Sequence, residues 1–184
     1  EGSMDSFTIQ KFETSSSEWA PVVSGTGADG TITAEIPEAD TGSVNLYRTA
    51  ILNNCSIVAI TSAPARNILL QSSVTGTRID LRWNNPFPSD GAVFSVWRET
   101  GNGWEEIVSQ VTDTVWSEDY SLFAQNISSA NVAYQITALQ EGAYAGAPVS
   151  RSNTVVAELA ENIYMPNAFT PDGNGLNDIF MPVQ

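Results

Sequence analysis

The residues that could do chemistry in this sequence are few, and their types exclude the commonest active sites. The chain has no histidine, which removes the usual general base and the usual ligand of transition metals. Its single cysteine, Cys55, has no histidine to activate it as a nucleophile and no second cysteine for an internal disulfide. We therefore interpret Cys55 as a thiol in the core or near the surface, without a catalytic role.

Acidic side chains lie close together in the sequence at Glu105–Glu106, at Glu118–Asp119 and at Asp113. A glycosidase needs two carboxyl groups that face each other across the substrate. Adjacent residues of a strand point to opposite faces of the sheet, so the two adjacent pairs do not meet this requirement. The sequence therefore predicts solvated charges at these positions.

A group of oxygen-bearing side chains near the C-terminus could bind Ca²⁺, namely Asp172, Asn174, Asn177 and Asp178. Counted from Asp172, the EF-hand pattern needs Gly at the sixth position and Glu at the twelfth, where this sequence has Asn177 and Val183. Because the pattern fails, we favour turns in which the Asp and Asn side chains bond their own backbone. No cofactor is predicted, and a calcium ion is the alternative.

Three tryptophans, Trp97, Trp104 and Trp116, could form an exposed platform for carbohydrate. In a strand near 92–99, Phe94 shares a face with Val96, and Trp97 lies on the opposite face. One of these faces must point outward. Trp97 is therefore the predicted surface aromatic and the candidate contact for a surface ligand or glycan.

Net charge and apolar content limit the classes of partner. The 184 residues carry 7 basic and 21 acidic side chains, a net charge of −14. Nucleic acid and anionic membrane surfaces bind through basic patches, so neither is an expected partner. An apolar content of 42% is ample for packed cores. No apolar run approaches the ~20 residues of a membrane-spanning helix.

The elements that must position these residues are predicted to be β-strands. Short runs rich in Val, Ile, Thr and aromatic residues alternate with clusters of Gly, Asn, Asp and Pro, and helical periodicity is scarce. The pattern predicts an all-β fold with about seven strands in a complete sandwich. The strands are expected near 5–12, 19–24, 30–36, 44–52 and 56–62, and then near 67–74, 77–83, 92–99, 104–111, 113–118, 131–139 and 149–158.

An internal repeat divides these strands into two sets. Phe7 matches Phe94 and Tyr47 matches Tyr134, and both pairs are offset by the same 87 residues. The first set begins at what corresponds to the third strand of the second set, so it lacks two strands. We predict an incomplete module over residues 1–65, a complete module over residues 66–160 and a third segment over residues 161–184.

The complete set resembles a fibronectin type III domain, an immunoglobulin-like β-sandwich. Trp83 stands where that family has its core Trp on the second strand, Tyr134 stands at the Tyr of the sixth strand, and Ser152–Asn153 resembles the start of the last strand. The resemblance implies that Trp83, Tyr134 and the repeated Tyr47 are core residues. Surface aromatics for sugar stacking are the alternative, which we disfavour because the neighbouring residues alternate as core residues do.

The last segment carries a longer motif, P-N-A-F-T-P-D-G-N-G-L-N-D-I-F over residues 166–180. It resembles the opening of the gliding-motility-associated C-terminal domain, the type B sorting signal of type IX secretion cargo. The family has Asn and Asp where this chain has Asp172 and Asn174. Only the opening strand and turn of that domain would lie in the chain. The residues that carry the resemblance are Pro166, Asn167, Phe169, Thr170, Pro171, Asp172, Gly173, Asn174, Gly175, Asn177, Asp178 and Phe180.

Together the resemblances imply a non-catalytic fragment of a large secreted or cell-surface protein of a gliding-type bacterium. Its modules would act as spacers or in adhesion, and its end would direct export across the outer membrane by the type IX machinery or its shuttle. The alternative is an ancillary spacer or carbohydrate-binding segment of a secreted multidomain hydrolase. We also expect the truncated ends to be covered either by another chain or by the rest of a longer polypeptide, because Phe7, Ile9 and Phe180 would otherwise be exposed.

Overall fold

The computed structural model describes residues 6–26, 34–36, 42–53, 55–88, 91–123, 131–143, 146–147 and 149–159. Within these ranges almost all regular structure is β-strand, and the one helical element is a 3-10 turn over Tyr120–Leu122. The predicted all-β class is confirmed. No helix in the described part is long and apolar enough to cross a membrane. The sorting motif and the candidate calcium ligands lie beyond residue 159, outside the described residues.

The first unit is a sheet with the strand order β2–β1–β3–β4, in which β5 also pairs with β3. The strands are β1 (Ser6–Glu13), β2 (Glu18–Thr26), β3 (Leu46–Leu52), β4 (Val58–Thr61) and β5 (Ala65–Arg66). Of the strand predicted near 30–36, the structure describes residues 34–36, and these residues have no regular structure. Residues 30–33 lie outside the described ranges.

The second unit is a sandwich of two sheets, ordered β10–β7–β6 and β12–β11–β8–β9, with β13 also paired to β11. Two antiparallel sheets with this strand order form an immunoglobulin-like β-sandwich. Every strand predicted for this unit is present, with shifted ends. The strands are β6 (Gln71–Thr75), β7 (Arg78–Arg82), β8 (Ala92–Thr100), β9 (Gly103–Val111), β10 (Val115–Asp119), β11 (Asn131–Gln140), β12 (Ser150–Arg151) and β13 (Val155–Glu158).

The predicted last strand breaks into β12 and β13 because two polar side chains replace backbone partners. The Ser152 hydroxyl accepts a hydrogen bond from the Ile136 amide at 2.9 Å. The Asn153 side chain accepts from the Leu70 amide at 2.7 Å and donates to the Leu70 carbonyl at 3.0 Å. Such local side-chain bonds compete with a regular ladder. Here the Ser152 hydroxyl attaches the broken strand to β11 of its own sheet, and the Asn153 side chain attaches it to the start of the opposite sheet.

The core of the second unit lies between its two sheets, and strand alternation selects its members. On β8, Phe94 and Val96 point inward and are 1% and 0% exposed. Trp83 follows directly after β7 and is 4% exposed. Its ring packs edge-to-face against Phe94 with 5.5 Å between centroids, which is a favoured aromatic geometry. The other large side chains that are fully buried are Leu70, Ile79, Leu81, Val132, Tyr134, Ile136 and Pro86.

The repeat found in the sequence recurs in the register of the two units. Lys11 pairs with Tyr47 between β1 and β3, and Arg98 pairs with Tyr134 between β8 and β11. These residues are related by the same offset as the two phenylalanines. The match in burial is limited to the phenylalanines: Phe7 and Phe94 are both buried, whereas Ile9 is half-buried and its counterpart Val96 is fully buried. The module boundaries remain a prediction, and β5 lies across the first of them.

The expectation that Phe7 needs cover from another chain is wrong. Phe7 is 4% exposed within this one chain. Its ring lies over Gly25, its cross-strand partner on β2, where a Cβ atom would come within 3.1 Å of the ring carbons. The missing side chain at Gly25 therefore leaves space that the Phe7 ring fills. Ile9 is half-buried, and Phe180 lies outside the described residues.

We expect Trp83→Ala to lower the free energy of unfolding by roughly 3–5 kcal/mol, because it removes a large buried ring. Trp83→Phe is the matched control and should cost less than half as much. It keeps an aromatic ring beside Phe94 and removes a buried indole N–H that has no hydrogen-bond partner among the described residues.

Chemical denaturation of residues 66–160, which we expect to unfold in one cooperative transition, measures both variants. A cost below about 1 kcal/mol for Trp83→Ala would contradict a core position for this ring.

Candidate functional site

The most organised polar group in the described part of the chain joins the two sheets of the second unit. The Tyr134 hydroxyl donates to Glu118 Oε1 at 2.5 Å. Arg98 Nη1 donates to Glu118 Oε2 at 2.9 Å, and the Arg98 and Glu118 side chains are only 17% and 15% exposed. We call these three residues the Glu118 clasp. It connects β10 of one sheet to β8 and β11 of the other.

Strand alternation and register assemble the Glu118 clasp. On β10 the residues alternate between exposed and half-buried, so Glu118 points inward with Trp116. On the opposite sheet Arg98 and Tyr134 are direct cross-strand partners, so both side chains reach the same carboxylate. The Arg98 guanidinium also lies 3.9 Å from the centroid of the Phe123 ring, a cation–π contact.

The prediction of solvated charge is wrong for Glu118. Its partners lie 16 and 20 residues away in the chain, so the charge was visible in the sequence but its partners were not. The one available signal was that Glu118 shares its face with Trp116. Asp119, by contrast, is exposed and accepts a hydrogen bond from the Ser121 amide at 3.0 Å. Bonds from Ser121 hold the pKa of Asp119 below its usual value.

The electrostatics of the Glu118 clasp suit a structural role. Burial, followed by the hydrogen bond to the Glu118 carboxylate, raises the pKa of Tyr134 far above its usual value. The phenol therefore stays protonated and keeps donating at physiological pH. Both oxygens of Glu118 already accept bonds from inside the sandwich. The group can tie the sheets together, and it presents no open carboxylate to a substrate.

The remaining carboxylates that were considered for catalysis, Glu105, Glu106 and Asp113, are exposed. Glu105 and Glu106 lie on β9, where Glu105 is the cross-strand partner of Arg98 and Glu106 that of Trp97. The two carboxylates therefore sit on opposite faces of the sheet, as their adjacency predicts. Asp113 is also exposed. Among the described residues, no group of three or more His, Cys, Asp or Glu side chains is placed to hold a metal ion.

The three tryptophans singled out in the sequence do not share one surface. Trp97 is half-buried, and its indole N–H donates to Thr137 Oγ1 at 2.9 Å. Trp104 is 37% exposed on the neighbouring strand β9. Trp116 points the other way and packs against the core. Of the remaining candidates, Tyr47 is half-buried on β3 and Cys55 is exposed.

Sequence reasoning missed an aromatic cluster on the first sheet. The rings of Phe12 and Trp19 meet edge-to-face at 5.3 Å, and they are cross-strand partners. The Arg48 guanidinium lies 4.3 Å from the Trp19 centroid, and Arg48 Nε donates to Gln10 Oε1 at 2.8 Å. A signal was present, because a polar turn and then a Trp follow the repeated strand in both sets, Trp19 in the first and Trp104 in the second. Its contacts are within the sheet, so the cluster serves packing.

An open depression of 760 Å³ lies on the β10–β7–β6 sheet. Arg78 and Asp80, which are among its lining residues, form an ion pair with 2.7 Å between Nε and Oδ1, and their side chains are 64% and 39% exposed. Exposed ion pairs of this kind contribute little to stability. The depression is lined mainly by polar side chains and lacks the enclosed apolar walls of a typical small-molecule site.

The chain was compared with known proteins. No family model matches it, and no curated protein matches it. Thirty-four chains of solved structures match, among them the chicken interferon gamma receptor alpha chain. That match has 10% sequence identity and a TM-score of 0.36, and it covers 86% of this chain and 87% of that one. A match with this identity and TM-score shows neither the family nor the function of the chain.

We expect the free energy of unfolding to fall as the pH rises above 10, the ordinary pKa of tyrosine. The folded chain keeps the Tyr134 proton where the unfolded chain has lost it. The contribution of Tyr134 to the free energy of unfolding is therefore fully present below pH 10. It is lost as the pH rises from 10 toward the raised pKa of the folded chain, by at most about 1.4 kcal/mol per pH unit.

Tyr134→Phe keeps the ring and removes the titrating group. It should cost about 1.5–3 kcal/mol at pH 7, because it removes a hydrogen bond to a charged acceptor. It should also flatten the loss of stability above pH 10. Denaturant titrations at several pH values test this. Equal slopes for the variant and the parent chain above pH 10 would show that another group titrates.

Proposed function

We propose that the chain is a non-catalytic, modular part of a large secreted or cell-surface protein, and that its β-sandwich modules act as spacers or in adhesion. The observation that carries the proposal is the shared register of the two units, in which Lys11–Tyr47 and Arg98–Tyr134 are equivalent pairs. Tandem units that bury their own cores extend a chain without needing a new fold for each step.

The interior polar groups of the second unit support this role. In the Glu118 clasp a carboxylate, a guanidinium and a phenol bond one another and so join the two sheets. Removing one partner of such a pair costs more than the pair contributes, so the cluster makes the packing specific. The net charge of −14 favours a soluble chain that does not bind anionic polymers.

For the adhesive role we propose Trp97 and Trp104 as the contact for a surface glycan. Trp97 pairs with Glu106 and Trp104 pairs with Glu99, which puts both indoles on the same face of the β8–β9 ladder. The bond from Trp97 to Thr137 holds one ring in a fixed orientation. Aromatic faces beside carboxylates suit neutral sugars, which offer both apolar C–H faces and hydroxyl donors.

We also propose that the segment from Pro166 to Phe180 directs export across the outer membrane by the type IX machinery or its shuttle. This proposal is supported by the motif alone. The spacing of its Pro, Gly, Asn and Asp residues resembles the opening of the family's sorting domain.

The non-catalytic role predicts no turnover of polysaccharides or peptides by the purified chain. Turnover that a single carboxylate substitution abolishes would overturn this role. In a glycan-binding screen, Trp104→Ala should lose whatever binding the parent chain shows, while Leu122→Ala should not. Leu122 is the matched control, because it is 84% exposed and lies outside the β8–β9 ladder.

Export is tested in the cells that make the protein. Phe169→Ala and Phe180→Ala are expected to remove most of the protein from the cell surface and to retain it inside the outer membrane. Leu122→Ala should leave the surface amount unchanged. Normal surface amounts of both phenylalanine variants would contradict the sorting role.

A further inference from the structure

We propose that the two units form one rigid body, locked at a joint made by Asn67. The first sheet ends with β5 at Arg66, and Ile68, which is 3% exposed, already belongs to the second core. Asn67 is therefore the only residue between the two packed units. A connection of one residue is too short to behave as a flexible linker.

The side chain of Asn67 completes the ladder of the first unit. One position beyond the last β3–β5 pair, the second unit has the regular pair Val132–Ala157. The first unit has Asn45 and Asn67 at this position. Asn67 Oδ1 accepts from the Asn45 amide at 2.7 Å, and Asn67 Nδ2 donates to the Ser43 carbonyl at 2.9 Å. The Asn67 amide also donates to the Asn45 carbonyl at 3.4 Å, so both the main chain and the side chain of Asn67 are bonded to the first unit.

The backbone around Asn67 is held by the second unit. The Asn67 carbonyl accepts from Asn84 Nδ2 at 2.9 Å, and Asn84 Oδ1 accepts from the Leu69 amide at 2.8 Å. One residue earlier, the Arg66 amide donates to the carbonyl of Pro86 at 2.7 Å. Pro86 is itself fully buried. The loop after β7, through Asn84 and Pro86, thus holds the backbone of residues 66–69 to the second unit.

Rotation at this joint would break hydrogen bonds to both units at once. It would also expose or orphan the Asn45 amide, in a residue that is only 9% exposed. An unsatisfied buried backbone group costs about 1–3 kcal/mol, so the locked arrangement is favoured over a hinge. Relative motion is otherwise the usual behaviour of tandem domains. A locked joint gives a spacer a fixed direction as well as a length, and this last consequence rests on the proposed function.

The proposal is tested by NMR on the full chain, through residual dipolar couplings and ¹⁵N relaxation. The parent chain should fit one alignment tensor and one rotational correlation time for both units. Asn67→Ala should give two tensors and a shorter correlation time for each unit. Asn153→Ala is the matched control, because its side chain makes the same two kinds of bond, to Leu70, wholly within the second unit. It should lower the melting temperature and keep one tensor.

Two separate tensors in the parent chain, or one tensor in a folded Asn67→Ala chain, would overturn the joint. If Asn67→Ala does not fold, Asn67→Asp replaces it. That variant keeps the acceptor for the Asn45 amide and loses the donor to the Ser43 carbonyl. It should let the two units move relative to each other, so that their alignment tensors differ. A single alignment tensor for both units of the Asn67→Asp chain would overturn the proposal. A parent chain with one tensor that is not found at a cell surface would contradict the proposed function and leave the joint intact.

Discussion

The second unit depends on the register in which β8 pairs with β11. In that register Phe94, Val96 and Ile136 all point into the space between the sheets and are essentially fully buried. Trp83, which follows β7 of the opposite sheet, packs against the Phe94 ring. A slip by one residue would bring Trp97 and its polar neighbours inward, so the apolar pattern permits only one pairing. The Glu118 clasp follows from the same constraint, since its two donors are cross-strand partners.

The first unit reuses this register with different side chains. Phe7 takes the place of Phe94, and its ring covers Gly25 on the neighbouring strand. On the opposite face Arg48 lies against Trp19 and bonds Gln10. The backbone pairing is thus the repeated feature, while each unit satisfies its polar and aromatic groups in its own way. The two copies can therefore diverge in sequence and keep their pairing.

The strands and the repeat could be predicted because they depend on neighbours in the sequence. Alternation along β8 identified its two faces, and the offset between the phenylalanines matched that between the tyrosines. The role of Glu118 could not be predicted, because its partners are brought to it only by folding. The role of Asn67 was missed for a related reason. A side-chain amide can bond any backbone group that passes near it, and local composition does not identify that group.

The polar groups that sequence analysis misses are those that join elements to one another. The Glu118 clasp joins the two sheets, Asn153 attaches the broken last strand to Leu70, and Asn67 joins the two units. Asn153 and Asn67 take the place of ladder bonds where regular pairing ends, and the Glu118 clasp bridges two sheets that share no ladder. Apolar alternation therefore selects the fold, and a few polar side chains fix how its parts are connected.

Both units are built on the same strand register, and cross-strand NOEs in the full chain test this shared register most directly. We predict NOEs between the backbones of Lys11 and Tyr47 and between those of Arg98 and Tyr134. Direct Hα–Hα or HN–HN NOEs from Tyr47 to Gln10 or Phe12, in place of those to Lys11, would contradict the shared register. They would show that the first unit has slipped by one residue and is not a copy of the second.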